Sequence, residues 1–318
     1  MDKMNSQRKA YGEEIVALGA ENHNIVALEA DLGKSTMSYL FQQAYPDRYF
    51  EMGIAEQNML STAAGLAASG KIPFCSTFAV FITGKSFDQI RQTIAIGKLN
   101  VKICGSSAGL SDFGDGSTHQ AIEDVALMTA IPNMVVLTPC DALETRQAVR
   151  MAAAIDGPVY IRVGRNDLPD MIESGSEFNL GKIRVLREGA DVALLAHGSA
   201  VAEAMQAAAL LREKGISAKV VNVATMKPFD YEGVASLADT VKAVVTAEDH
   251  NYIGGLASAA ALAMRRSSTP MDFVAVMDMF GQSAHSSKEL MDYYGVSAIR
   301  IAEKAIYLLN DINGGQVK

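Results

Sequence analysis

The sequence predicts an α/β protein built from two doubly wound domains. Three observations support this fold class: apolar runs of strand length alternate with helical patterns, the alternation occurs twice, and a stretch without long periodicity separates the two sets. Short apolar strands that alternate with helices are typical of parallel sheets with helices on both faces. The length of 318 residues also suits two domains of ordinary size.

The first set of elements predicts a domain over residues 1–165. Its apolar runs are predicted strands, at Ile25–Glu29, Tyr49–Met52, Ile72–Ser76, Val101–Gly105, Met134–Leu137 and Val159–Val163. The stretches between them have helical patterns and are predicted helices, at Arg8–Glu21, Ala55–Ala68, Lys85–Ile96, Gln120–Ala130 and Ala142–Ala154. We expect one parallel sheet with these helices on its two faces.

Residues 166–188 are predicted to form a linker, because they contain Pro169, Gly175, Gly181 and mixed charges. The alternation then resumes in a smaller domain over residues 189–318. Its predicted elements are Asp191–Ala196, Val201–Lys214, Ala218–Val223, Val241–Ala247, Gly255–Arg266, Phe273–Val276 and a closing helix at Ala298–Asn310. The chain is therefore expected to fold as two successive α/β units.

Composition excludes some classes of function. The net charge of −8 argues against nucleic-acid binding, which needs clustered lysine and arginine. No apolar run reaches the roughly 18 residues that a membrane-spanning helix requires. The first residues carry charges where a secretory signal would be apolar, so we expect a cytoplasmic protein.

Three short segments carry the candidate chemistry. Each follows a predicted strand of the first domain: Met52-Gly53-Ile54-Ala55-Glu56-Gln57-Asn58-Met59, Ser76-Thr77-Phe78-Ala79-Val80-Phe81 and Gly114-Asp115-Gly116-Ser117-Thr118-His119-Gln120. Alone, Glu56 is an acid favoured by a helix start, the two phenylalanines are core residues, and His119 caps a helix. The hypothesis that these residues form a functional site depends on the occurrence of all three segments in this order.

In that order, the three segments resemble the pyrimidine-binding domain of thiamine diphosphate enzymes, most closely of the transketolase family. Residues 280–283 and 289–296 resemble the family's smaller C-terminal domain, which serves packing and assembly. A complete transketolase has another large N-terminal domain, which binds the diphosphate and Mg²⁺, and 318 residues leave no room for it. The resemblance therefore implies the C-terminal subunit of a split transketolase.

The resemblance also implies roles for individual residues. Glu56 would hydrogen-bond the pyrimidine N1′ of thiamine diphosphate and stabilise the tautomer that acts as a base. Phe78 and Phe81 would stack on the pyrimidine ring, a contact worth about 0.5–1.5 kcal/mol beyond area burial. His119 would exchange protons with substrate oxygens, because an imidazole can do so near neutral pH. Asp115 would face the hydroxyl groups of the donor sugar.

The family holds substrate phosphate with side chains that this sequence matches in part. Arg8, Ser35 and Arg165 correspond to three of those positions, and an arginine fork suits phosphate or another oxyanion. Ser107 stands where the family has a histidine, and Gly84 where it often has a further aromatic residue. Either phosphate is held by fewer contacts, or the terminal group of the sugar differs.

The partners follow from the same resemblance. Gly114-Asp115-Gly116 is not read as the family's metal motif, since Asn133 comes too early to complete it and belongs to a predicted turn. We expect Mg²⁺ to be bound by an N-terminal transketolase subunit, in an α2β2 heterotetramer that shares thiamine diphosphate between chains and acts on sugar phosphates.

Two alternatives stay open at this point. One is the β subunit of a 2-oxo acid dehydrogenase, or a deoxyxylulose phosphate synthase-like protein, which share the cofactor-binding acid. Thr118-His119-Gln120 and Arg165 favour transketolase over these. The other is a non-catalytic regulatory paralogue, suggested by Ser107 and Gly84, although Glu56 and His119 together speak against it.

Overall fold

A computed structural model describes residues 4–312 and Gly314. The α-helices of this part are α1 (Gln7–Glu21), α2 (Gly33–Thr36), α3 (Tyr39–Ala44), α4 (Glu56–Ala68), α5 (Asp124–Ala130), α6 (Ala142–Ala154), α7 (Ala200–Glu213), α8 (Tyr231–Ala238), α9 (Leu256–Ala263), α10 (Ser287–Tyr293) and α11 (Ala298–Ile312). Its strands are β1 (Met4–Ser6), β2 (Ile25–Glu29), β3 (Tyr49–Glu51), β4 (Ile72–Phe78), β5 (Lys102–Ser106), β6 (Val135–Leu137), β7 (Val159–Arg162), β8 (Asp167–Pro169), β9 (Arg184–Arg187), β10 (Val192–Ala196), β11 (Ala218–Asn222), β12 (Thr225–Lys227), β13 (Ala243–Asn251) and β14 (Met271–Val276).

Two sheets organise the chain. The first has seven strands in the order β12-β6-β7-β5-β4-β2-β3, parallel except for β12. The second has five strands in the order β14-β13-β10-β11-β9, parallel except for β9. Helices lie between successive parallel strands in both sheets. The predicted α/β class is confirmed.

The second half of the chain contributes to the first sheet. Strand β12 pairs antiparallel with β6, so a segment beyond residue 220 completes the sheet that the first half begins. The stretch predicted as a linker, residues 166–188, contains two short strands, and β8 within it pairs with β1. The pairing of β12 with β6 therefore links the second half of the chain to the first sheet.

Several predicted elements differ in their bounds. The helix predicted at Gln120–Ala130 begins only at Asp124, because Ala121 instead forms a β-bridge with Ala108 and its carbonyl accepts from the Gly109 amide. The helix predicted at Lys85–Ile96 is present but starts earlier and is largely π-helical, at Phe81–Lys85 and Gln89–Ala95. The short helices α2, α3, α8 and α10 were not predicted, since each is too short to show a clear period.

Apolar side chains fill both faces of the first sheet. On one face, Tyr11 and Ile15 of α1 and Val149 of α6 pack against the sheet with almost no exposed surface. On the other, Met59 and Leu60 of α4 belong to a cluster that continues into the second half of the chain. Strand β2 is buried along its whole length, as expected for the interior of a parallel sheet.

A buried ion network joins the two sheets. The Arg162 guanidinium, at the end of β7, contacts the Asp124 carboxylate at 3.0 Å and the Asp249 carboxylate of β13 at 2.7 Å. Tyr160 donates to Asp124 at 2.7 Å, and Ser199 donates to Asp249 at 2.9 Å. All three charged side chains are almost fully buried. Two carboxylates share one guanidinium, so the network depends on Arg162.

Lys102 makes the stability of the fold depend on pH. Its ammonium is buried and donates to the carbonyls of Ile155 at 2.7 Å and Gly157 at 2.8 Å. Burial lowers the pKa of Lys102 to about 7. In the unfolded chain a lysine titrates near 10.4, so between these values the unfolded chain binds more protons and stability rises with pH.

We therefore compare how much the free energy of unfolding rises between about pH 7 and about pH 9.5 in the wild type and in Lys102→Met. The rise should be larger in the wild type by roughly 2–3 kcal/mol. Urea titration of both proteins at the two pH values measures this difference. Equal pH dependence in the two proteins would show that Lys102 is not neutral in the fold.

No helix within residues 4–312 combines the length and the apolar character that a bilayer crossing requires.

Candidate active site

The predicted site residues gather at one edge of the seven-stranded sheet. Ser35 follows β2, Glu56 follows β3, Phe81 follows β4, His119 follows β5 and Arg165 follows β7. These strands are parallel, so their carboxyl ends meet at the same edge. Ligands of open α/β sheets bind in crevices at such edges.

Glu56 is the first residue of α4. Gly53, with a φ of +67°, turns the chain between β3 and this helix, a backbone conformation that glycine adopts at low cost. The Glu56 carboxyl is buried, with 3% of its surface exposed, and accepts a hydrogen bond from Lys85 Nζ at 2.6 Å. A buried acid at a helix start is favoured by the helix dipole and here also has a cationic partner.

Three rings lie together beside that helix. Phe78 and Phe81 are nearly parallel, at an angle of 12° and with ring centroids 6.1 Å apart. The His119 imidazole meets both edge-on, with centroids 6.0 Å from Phe78 and 5.2 Å from Phe81. Gly84 is exposed, and a Cβ there would meet nothing within 4 Å. The space beside Gly84 is therefore open.

The loop that carries His119 rests on the second half of the chain. Gln120 Nε2 donates to the carbonyls of Asp112 at 2.8 Å and Gln282 at 3.0 Å. The Ala284 amide donates to the Phe113 carbonyl at 2.8 Å. These long-range hydrogen bonds fix both ends of the loop, so a segment of the C-terminal unit positions His119.

Gly281 allows this contact. A Cβ at Gly281 would lie 1.5 Å from Gln120 Oε1, a clash that only displacement of Gln120 could relieve. We expect Gly281→Ala to release the loop, seen as faster amide hydrogen exchange over residues 112–120. Gly65→Ala is the matched control, since a Cβ there meets nothing within 4 Å. Unchanged exchange in Gly281→Ala would contradict this support role.

Two arginines mark the far end of the site. Arg8 Nη1 donates to the Ser35 carbonyl at 2.7 Å, whereas Arg165 Nη1 contacts Asp112 at 2.6 Å and Asp115 at 3.1 Å. Both arginines line a cavity of about 570 Å³. Burial, and then the charge of Arg165, lower the pKa of Arg8. The two guanidiniums are therefore close enough to repel each other.

Two residues in the segment that follows β5 have unusual surroundings. Asp112 is fully buried; burial raises its pKa, while the charge of Arg165 lowers it. Ser107 is also fully buried and has a φ of +54°. Among the described residues, neither Ser107 Oγ nor Asp112 Oδ2 has a hydrogen-bond partner. Each atom therefore keeps an unused capacity for a hydrogen bond.

The structure thus forms two groups from the predicted residues. Phe78, Phe81 and His119 are in mutual contact; Glu56 joins them through Lys85, which closes the π-helical turn that Phe81 begins. The second group consists of two pairs, Arg8 with Ser35 and Arg165 with Asp115, whose arginines line the same cavity. In the described part of the chain, no cluster of three or more histidine, cysteine, aspartate or glutamate side chains is arranged to hold a metal ion.

Sequence reasoning missed Lys85, Asp112 and the support role of Gln120. Lys85 follows Phe81 by four residues, the spacing of one helical turn, but the sequence offers no sign that it reaches Glu56. Asp112 lies in a loop whose path depends on distant contacts. Gln120 was part of the third segment, so its position could be predicted and its partners could not.

Comparisons with known proteins show the family of the chain. Residues 3–171 match the transketolase pyrimidine-binding domain and residues 181–301 match the transketolase C-terminal domain. The chain is 42% identical to the 6-deoxy-6-sulfo-D-fructose transketolase subunit of Clostridium sp. (strain MSTE9), over 94% of this chain and 92% of that protein. It is 34% identical to an apulose-4-phosphate transketolase subunit of Phocaeicola vulgatus, over 94% of this chain and 96% of that protein.

A solved structure described as a split-gene transketolase, inactive β4 tetramer, superposes with a TM-score of 0.87 at 45% identity. The match covers 96% of this chain and 98% of that one. Both domain matches, the two similar subunits and this structure point to one family. The chain belongs to the transketolase family, with a pyrimidine-binding domain followed by the family's C-terminal domain.

Proposed function

We propose that this chain is the pyrimidine-binding subunit of a transketolase that moves a two-carbon ketol unit from a ketose to an aldose. The observation that carries the proposal is the buried Glu56 carboxylate at the start of α4, which Lys85 links to the π-helical turn that begins at Phe81. An acid and an aromatic surface at the carboxyl edge of a parallel sheet suit a flat, nitrogen-containing ring.

Family membership implies thiamine diphosphate as the cofactor, and the residues present fit its pyrimidine end. Glu56 would hold the ring nitrogen N1′, and Phe78 and Phe81 would contact the ring face. The cofactor, when bound, supplies an electron sink that allows a carbon–carbon bond beside a carbonyl to break. The protein supplies the fixed carboxylate, whose orientation requires no rearrangement during the reaction.

His119 is the proposed proton donor and acceptor for substrate oxygens. Its ring stands edge-on to both phenylalanines, and Thr118 Oγ1 contacts Nδ1 at 2.9 Å. That contact orients the imidazole and leaves Nε2 for a substrate oxygen. Asp115 would bind donor hydroxyls, and its contact with Arg165 links it to the far end of the site.

A partner subunit would complete the site. The two matched domains span residues 3–171 and 181–301, and the similar solved structure comes from a split-gene enzyme and is described as an inactive β4 tetramer. We therefore expect the diphosphate and Mg²⁺ to be bound by an N-terminal transketolase subunit, in an α2β2 heterotetramer. The cofactor would lie between the chains.

The substrate would be a sugar whose terminal group reaches Arg8, Ser35 and Arg165. The two named relatives differ at that group, since one is named for a sulfonated ketose and the other for a phosphorylated one. Ser107 replaces the histidine of the phosphate-binding pattern. These observations support a ketose donor and an aldose acceptor with a charged end.

The proposal is tested by mixing this chain with an N-terminal transketolase subunit encoded beside its gene, in the presence of thiamine diphosphate and Mg²⁺. We expect ketol transfer between sugars, followed by NMR of the products, in the mixture and none with either chain alone. Transfer by this chain alone would contradict the shared site. A mixture that assembles and binds the cofactor without transferring a ketol unit would contradict the activity.

A further inference from the structure

In the cavity at the far end of the site, carboxylates offset much of the positive charge that would bind a phosphate. It is lined by the guanidinium groups of Arg8 and Arg165, by the Lys288 ammonium of α10, and by the carboxylates of Asp167 and Glu203. Lys288 is paired with Glu203 at 3.5 Å and with Asp292 at 2.6 Å. The charge offered to a ligand therefore depends on the two arginines.

Arg165 is already neutralised inside the chain. Its Nη1 group contacts the buried Asp112 carboxylate at 2.6 Å and the half-exposed Asp115 carboxylate at 3.1 Å. Arginine holds phosphate best when its parallel N–H groups are available to two oxygens. Here the Nη1 group of Arg165 already binds two carboxylates, and the buried Asp112 places a negative charge beside the guanidinium.

Arg8 is the remaining cation among the residues that line this cavity. Its Nη1 is bound to the neutral Ser35 carbonyl at 2.7 Å, and its buried Nε has no partner among the described residues. In that part of the chain no carboxylate lies within 4 Å of the Arg8 guanidinium, although Asp167 and Asp112 act on it from farther away. One positive charge is thus left without a contact ion at this end.

We infer that Asp112 selects the terminal group of the substrate: this end of the site accepts a group with a single negative charge, of the sulfonate class, and disfavours a phosphate dianion. Among the residues that line the cavity, the second charge of phosphate would find no further unpaired cation, and it would be repelled by Asp112. Because Asp112 is buried, water screens this repulsion less than it would at the surface. Asp112 is a specificity-determining residue and takes no part in the chemistry.

This inference rests on the proposed function, which makes Arg8 and Arg165 the far end of a sugar site. Its test uses small probes that need no turnover: methanesulfonate and methyl phosphate, titrated calorimetrically into the full chain at constant ionic strength and about pH 8, where the phosphate is mainly dianionic. We expect the wild type to bind methanesulfonate at least as tightly as methyl phosphate.

The variant Asp112→Asn keeps the shape of the side chain and removes its charge. It should bind methyl phosphate about tenfold more tightly than the wild type, and methanesulfonate only about threefold more tightly, because the gain scales with ligand charge. Asp239→Asn, at an exposed position in the C-terminal domain, changes the net charge equally and should leave both affinities unchanged. Arg8→Gln should weaken both probes.

Wild-type binding that favours methyl phosphate about tenfold, or an Asp112→Asn variant without a gain, would overturn the inference, as would absence of methanesulfonate binding. Should Asp112→Asn not fold, the wild-type preference between the two probes decides the question. These binding results are independent of ketol transfer. Failure of the proposed activity and failure of this inference are therefore distinguishable.

Discussion

Replacing Glu56 with glutamine should lower the kcat of ketol transfer by the assembled enzyme about 10²–10³-fold, the range found when a preorganised polar group at a reacting centre is removed. Glutamine keeps the shape of the side chain but cannot hold a proton shared with a ring nitrogen as a carboxylate does. The Lys85 contact at 2.6 Å would become a hydrogen bond to a neutral amide. The loss should therefore appear in kcat while the fold remains intact.

Steady-state kinetics of the mixture, with the thermal midpoint of each variant, measures this effect. Glu173→Gln is the control, because Glu173 is an exposed carboxylate away from the sheet edge, and we expect wild-type kinetics from it. An active Glu56→Gln enzyme would remove Glu56 from the proposed chemistry. A variant that unfolds would instead assign Glu56 a structural role.

Replacing Arg162 with methionine should lower the free energy of unfolding by roughly 3–5 kcal/mol, the cost of breaking a buried ion pair by removing one partner. The substitution leaves two carboxylates, Asp124 and Asp249, buried without their shared cation. By contrast, Asp249→Asn leaves a balanced pair of Arg162 and Asp124. Its cost should be about 1–3 kcal/mol, as for an impaired buried hydrogen bond.

Urea unfolding of the two variants tests the order of these effects. The network joins the two sheets, so Arg162→Met should also separate the unfolding of the two halves, seen as a loss of coincidence between spectroscopic probes. If Arg162→Met lowers the free energy of unfolding less than Asp249→Asn does, unpaired buried charge does not determine the stability of this network.

Local patterns predicted the class of fold and the position of most site residues. Apolar runs predicted the six parallel strands of the first sheet within a few residues, because buried parallel strands are almost continuously apolar. The strand-to-helix positions of Glu56, Phe78 and Phe81 follow from the same alternation. His119 was predicted from its segment, and its contact with the two rings is a property of the folded loop.

Long-range contacts account for what the sequence could not predict. Strand β12 crosses to the first sheet, and Gln120 reaches Gln282 across 162 positions of the chain. Neither contact has a periodic signature. The same holds for Lys85 beside Glu56 and for Asp112 beside Arg165, which are set by how loops at the sheet edge pack.

The shared cofactor site is tested most directly by calorimetric titration of thiamine diphosphate with Mg²⁺, first into this chain alone and then into the chain mixed with its N-terminal partner. We predict binding only in the mixture, and weaker binding when Glu56→Gln replaces the wild type. Tight binding by the lone chain, or equal affinity of the wild type and the variant, would contradict a cofactor held between two subunits on Glu56.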